Sequence, residues 1–104
     1  MLPDVPANCE QAYHMFYVLL PTREQRNAVL ESMRAVGVTA TFHYVPLHNS
    51  DAGIAFAARA TECPVTEDIS GRLLRLPFFN SLTESDMDRV VTAFLTSVTA
   101  SAMV

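Results

Sequence analysis

Residues 12–20, AYHMFYVLL, are apolar at nearly every position. In an extended chain Tyr13, Met15, Tyr17 and Leu19 fall on one side and His14, Phe16, Val18 and Leu20 on the other. The run therefore reads as a strand covered on both faces, ended by Pro21, with His14 as a hydrogen-bonded core histidine. The period changes at Thr22. Thr22-x-x-Gln25 fits a capping box, and Val29, Met33 and Val36 recur at helical spacing. Gly37 stands where a left-handed stop is expected. From Val38 to Val45 the period returns to two. Val38, Ala40, Phe42 and Tyr44 form an apolar face against Thr39, Thr41, His43 and Val45, which predicts a second strand closed by Pro46.

The segment PLHNSDAG, 46–53, is a loop of turn formers, and a short helix follows over 52–59. Cys63-Pro64 interrupts the chain. Thr66 then caps a helix to about Leu73, with Glu67 and Asp68 in its first turn and Arg72 facing solvent. Leu74-Arg75-Leu76 is a short strand before Pro77. Thr83-x-x-Asp86 opens the last helix, whose apolar face holds Met87, Val90, Val91, Phe94, Leu95 and Val98. The tail 99–104 is expected to fray, and residues 1–11, with Pro3 and Pro6, read as an extended linker. The domain proper is 12–98. The order β-α-β, short helices, β-α predicts an α+β fold: a small, largely antiparallel sheet with helices packed on it.

Composition narrows the function. With 104 residues there is room for one domain. Half the residues are apolar and 17% charged, which excludes disorder. The net charge of −4 argues against a nucleic-acid partner. All 7 basic residues are Arg, so the chain offers no lysine for a Schiff base or a phosphate loop. Cys9 and Cys63 stand far apart and read as two free thiols, which suits a cytoplasmic protein, with a single bridge between them as the alternative. No segment reads as a membrane span, and MLPDVPANCE lacks the features of a signal peptide. A mean hydropathy of +0.20 with so little charge predicts apolar surface left over for a partner or a second copy.

The densest chemistry is Phe42-His43-Tyr44-Val45-Pro46-Leu47-His48, where a strand end feeds a loop. Imidazole and phenol there can bond phosphate or sugar oxygens, or can simply satisfy the loop backbone. A metal centre of His14, His43 and His48 lacks ligand spacing, and no nucleophile turn or glycine-rich phosphate loop is present. Arg75, within LLRLP, is either a surface residue on an edge strand or a carboxylate or phosphate ligand. The residues alone leave open a stand-alone α+β ligand-binding or regulatory module, or a small histidine-dependent enzyme.

HMFYV at 14–18, Gly37 through FHYVPLH to Gly53, CP at 63–64, E-x-x-x-x-RLLRLP at 67–77 and LT at 82–83 together resemble the C-terminal small domain of the DegT/DnrJ/EryC1/StrS aminotransferases. The resemblance covers 12 to about 98. It implies a fold-type-I, pyridoxal-phosphate-dependent parent that moves an amino group, with glutamate the expected donor, to a dTDP-linked 4-keto-6-deoxy sugar. The expected pathway is surface polysaccharide and lipopolysaccharide biosynthesis, enterobacterial common antigen included. It implies that residues 1–11 arrive from an N-terminal domain holding the cofactor lysine, and that the parent is a homodimer. This chain alone is then expected to be inactive and to bind no pyridoxal phosphate covalently. His43, Tyr44 and His48 become the expected substrate-side residues, and Arg75 the candidate for the donor carboxylate. No catalytic or metal-binding residue is expected in this chain.

Overall fold

Phe16–Leu19 form the first strand, β1, of a computed structural model that describes residues 1–102. Helix α1 spans Arg23–Ala35 and β2 is only Thr41–Phe42. A single 3-10 turn at Leu47–Asn49 leads into a short helix, α2, Asp51–Phe56. Helix α3, Pro64–Arg72, runs directly into β3, Leu73–Leu76, and α4 closes the chain at Glu84–Ala102. The three strands lie in the order β1-β3-β2 and both pairings are antiparallel. The α+β expectation therefore holds.

The hydrophobic core lies on one face of this sheet. Val18 of β1 and Leu74 of β3 are direct cross-strand partners. Both are buried with Leu20, Val29, Met33, Val38 and Ala40. Val90, Ala93, Phe94 and Val98 of α4 pack against this cluster from outside. Tyr17, Arg75 and Thr41 share the opposite face, since paired residues of an antiparallel ladder point the same way. Tyr17 and Leu19 are only half-buried there, so β1 is not covered on both faces as its apolar run suggests. His14 corrects the same reading: it sits exposed at a bend before β1, not in the core.

Local chemistry explains the element ends. Thr22 caps α1, its Oγ1 accepting from the Gln25 N–H at 3.2 Å. The return arm of the capping box is not made, and Gln25 Oε1 is buried without a partner. Gly37 has φ +75°, the left-handed geometry of a helix stop. Val36, placed on the buried stripe by its spacing, lies instead past the helix end and is exposed. Its carbonyl accepts from Arg89 Nη2 of α4 at 3.1 Å, a cation on the negative end of α1.

Other boundaries differ from the sequence reading. The second strand shrinks to two residues because Val38 and Ala40 enter the core before the sheet begins, while Phe42 and Tyr44 are exposed. α3 starts at Pro64, not at a Thr66 cap, since proline at the first helical position supplies the right φ. Arg72 does not simply face solvent. It pairs with Asp68 at 2.7 Å and donates to the Leu20 carbonyl at 3.1 Å, tying α3 to the end of β1. β3 is the central strand, so Arg75 is not on an edge. In α4 the six apolar residues split: Val90, Phe94 and Val98 pack inward, while Met87, Val91 and Leu95 are exposed. Helix continues through Ala102, past the point where fraying is expected to begin; 103–104 lie outside the described residues.

Met33→Ala and Leu74→Ala should each destabilise the domain by about 2–5 kcal/mol in denaturant titration. Leu95→Ala, on the exposed side of α4, should stay within about 0.5 kcal/mol. Gly37→Ala should cost more than about 1 kcal/mol, because its φ is unsuited to a side chain. Its Cβ would also meet Arg89 Nη2 at 3.0 Å.

Candidate functional site

The chain leaving β2 crosses between the first turns of α1 and the middle of α3, and a cleft of about 540 Å³ opens there. α1 contributes Arg23 and Arg26, the strand exit contributes Phe42 to Pro46, and α3 contributes Glu67 and Ser70. The first two are placed by helical geometry. Arg26 lies three residues before Val29 and seven before Met33, on the same buried stripe. The stripe that seats α1 on the sheet therefore carries Arg26 down into the protein, where it is 8% exposed.

Among the described residues Arg26 has no carboxylate partner. Its guanidinium carbon sits 5.5 Å from the centroid of the Phe42 ring, a cation–π contact. Its Nε is buried with no hydrogen-bond partner. Burial, and then the nearby charge of Arg23, lower the guanidinium below its ordinary pKa. Arginine remains cationic in such sites. Arg23 lies across α3, its Nε 3.1 Å from where a Cβ on Gly71 would stand. Gly71 thus leaves the space that this guanidinium occupies.

His43 is half-buried on the cleft wall, with Nδ1 buried and unpartnered. Its ring stands edge-on to Tyr44, centroids 5.2 Å apart. Tyr44 is exposed and presents its phenol to solvent. His48 turns away toward α3, and its Nε2 lies 2.9 Å from Glu67 Oε1. The same oxygen accepts from the Cys63 N–H at 3.4 Å. The His48 bond, then that from Cys63, holds the Glu67 carboxyl below its ordinary pKa. This bond pins the loop after β2 onto the start of α3.

The structure thus brings His43 and Tyr44 together on the cleft and places His48 beside it as a tether. It does not bring Arg75 to them. Arg75 lies on the opposite sheet face from the core, between Tyr17 and Thr41 in register. Arg23, Arg26 and Glu67 are cleft residues that the sequence reading did not assign to the site. The available signal was an arginine at a stripe position where Val29 and Met33 predict an apolar side chain. Among the described residues no group of three or more His, Cys, Asp or Glu could hold a metal, and Cys9 and Cys63 are free thiols. No described helix is long and apolar enough to cross a membrane.

The model of the DegT/DnrJ/EryC1/StrS aminotransferase family matches residues 1–95. Over 93 residues the chain is 34% identical to a UDP-N-acetyl-3-dehydro-alpha-D-glucosamine 3-aminotransferase of Acidithiobacillus ferrooxidans. That match covers 88% of this chain and 24% of the relative. The solved aminotransferase TlmJ of Streptoalloteichus hindustanus superposes with a TM-score of 0.82 at 26% identity. It covers 94% of this chain, which spans 25% of that one. A Streptococcus pneumoniae protein, Spr1654, solved in its apo form, shares the fold at TM-score 0.66 and 18% identity. Its match covers 86% of this chain and 23% of that one. The chain belongs to the DegT/DnrJ/EryC1/StrS aminotransferase family, and it spans about a quarter of the length of these relatives.

Aminotransferases of this family depend on pyridoxal phosphate. The residues present here do not fit covalent attachment of that group. The chain has no lysine, and the unpartnered groups of the cleft are a guanidinium and an imidazole.

Glu67 is the ionisable anchor of the loop, and its lowered pKa sets the direction of a pH effect. A carboxyl more acidic in the folded state stabilises the fold above its unfolded pKa and loses that contribution as pH falls. Glu67→Gln should therefore lower Tm at neutral pH, and the two Tm curves should converge in acid. Thermal melts between neutral pH and the carboxylate range check this.

Proposed function

We propose that this chain is the C-terminal small domain of a nucleotide-sugar aminotransferase, closing over an active site whose cofactor lysine lies in another domain. The observation that carries this reading is a mismatch of extent. Family likeness covers nearly the whole chain, yet the chain is a quarter of its relatives and contains no lysine. The exposed apolar side chains support it. Leu47, Ile54, Phe56, Val65 and Leu95 face solvent, and Phe56 is 90% exposed, more than a free-standing small domain usually leaves. In this reading they pack on the N-terminal cofactor-binding domain or on the second subunit of a homodimer.

Within that enzyme, His43 and Tyr44 hydrogen-bond oxygens of the sugar nucleotide, and His48 holds their loop in place through Glu67. The substrate is read as a dTDP-linked 4-keto-6-deoxy sugar and the donor as glutamate. HMFYV, FHYVPLHNSDAG and RLLRLPFFNSL support that choice by their likeness to dTDP-4-amino-4,6-dideoxygalactose transaminase. The product would serve surface polysaccharide and lipopolysaccharide assembly. The free thiols suit a cytoplasmic enzyme. Arg75 is kept for the donor carboxylate only if another domain brings the donor to the outer sheet face.

In the complete enzyme, His43→Ala should raise KM for the sugar nucleotide about tenfold, the scale of one lost hydrogen bond, and leave the donor half-reaction nearly unchanged. Equal loss in both half-reactions, measured separately by stopped flow, assigns His43 a structural role and overturns its place on the sugar. The 104-residue chain treated with pyridoxal phosphate and borohydride should carry no adduct at any internal residue by peptide mapping. An internal adduct overturns the reading of the chain as a domain without the cofactor amine.

A further inference from the structure

We propose that residues 46–62 form an arm that opens as one unit, and that the Glu67 carboxylate is its latch and so a positioning residue for His43 and Tyr44. The arm and its latch are argued from the domain itself, while the effect on substrate rests on the function proposed above.

The arm consists of the 3-10 turn, α2 and the chain that returns to α3. None of its residues is buried: Pro46, His48, Ser50 and Gly53 are half-buried and the rest are exposed. α2 packs mainly on the 3-10 turn before it. Its Ile54 and Phe56, and Leu47 of the turn, are exposed. The arm therefore shares little of the apolar burial that secures the sheet, α1 and α4.

Most of its hydrogen bonds are internal. The Asn49 N–H donates to the Pro46 carbonyl at 2.9 Å and the Ser50 N–H to the Leu47 carbonyl at 3.1 Å. The Gly53 N–H donates to Ser50 Oγ at 3.0 Å and the Ile54 N–H to the Ser50 carbonyl at 2.8 Å. Among the described residues, the hydrogen bonds that leave the arm end on Glu67. Near its start His48 Nε2 donates to Glu67 Oε1 at 2.9 Å, and the Asn49 side chain adds a weaker bond. Just past its far end the Cys63 N–H donates to the same Oε1 at 3.4 Å. One carboxylate thus draws together both ends of an Ω-loop. A segment with no core of its own, closed at one point, opens at far lower cost than the domain unfolds. His43 and Tyr44 stand just ahead of the arm. Opening frees the C-terminal side of that pair, while Phe42, in register with Leu74, still holds the other side to the sheet.

Hydrogen–deuterium exchange of the 104-residue chain, read by NMR, tests the latch. The Ser50, Gly53 and Ile54 amides should exchange through one common opening, about a hundredfold or more faster than the Val29 and Met33 amides inside α1. Glu67→Ala should speed exchange at the arm amides and at Cys63 about tenfold, the scale of a hydrogen bond to a charged group. Glu67→Gln keeps an acceptor oxygen without the charge and should fall between. His48→Ala should also speed the arm amides, and the double variant should add little to the larger single effect. Circular dichroism checks the fold of each variant. Arm amides that exchange as slowly as those of α1, exchange indifferent to both substitutions, or effects that add in the double variant overturn the latch. In the complete enzyme Glu67→Ala should raise KM for the sugar nucleotide more than it lowers kcat. If the exchange results hold and KM does not move, the latch stands and the positioning role is overturned. If the exchange results fail, the latch is overturned and the function proposed above is untouched.

Discussion

Val29 and Met33 of α1 are wholly removed from solvent against Leu74 in the middle strand. Every other feature of this small domain is placed relative to that contact. Burial of two such side chains is worth several kcal/mol, roughly 1.5–3 for each, a large share of what a domain this size can command. It fixes the rotation of α1 about its axis. One turn earlier on the same stripe stands Arg26, so the interaction that secures the helix also drives a cation into the protein. The fold and the cleft share one cause.

The second constraint is the junction of α3 with the sheet. β3 follows α3 with no intervening loop, so the direction of the helix is set by the strand it feeds. Arg72 bridges Asp68 and the Leu20 carbonyl at that junction, while the Leu20 N–H donates to the Arg72 carbonyl. The C-terminal end of α3 thereby lies against the first turn of α1, where Arg23 reaches Gly71. His48 and Glu67 then span from the loop to α3, and the cleft is the space these fixed elements leave. The His48–Glu67 hydrogen bond acts locally, holding the loop that follows the His43–Tyr44 segment against α3.

The described residues leave many large apolar side chains exposed. α4 spends half of its apolar face on the core and holds Met87, Val91 and Leu95 outward. The outer sheet face carries Tyr17, Arg75 and Thr41 in register. A chain that spans a quarter of its relatives and carries no lysine cannot by itself supply the amine their cofactor chemistry needs. The cleft residues, two guanidiniums, an imidazole and a phenol among them, are groups that can bond oxygen acceptors.

Local periodicity and turn chemistry were enough to establish the order of elements, the Thr22 and Thr83 caps, the Gly37 stop and the antiparallel α+β class. These depend on neighbours a few residues apart, which a sequence displays directly. The motif FHYVPLH also marked the His43–Tyr44 wall, because a strand feeding a proline-closed loop is legible locally. Tertiary structure alone decided that β3 is central and Arg75 lies away from the cleft, since strand order depends on partners distant in sequence. It decided that only half of the α4 face meets the core, because spacing shows that a face is apolar and not what covers it. It also decided the fate of Arg26. The helical period places that residue on the stripe, but only the packing of Met33 and Val29 on Leu74 buries it without a partner.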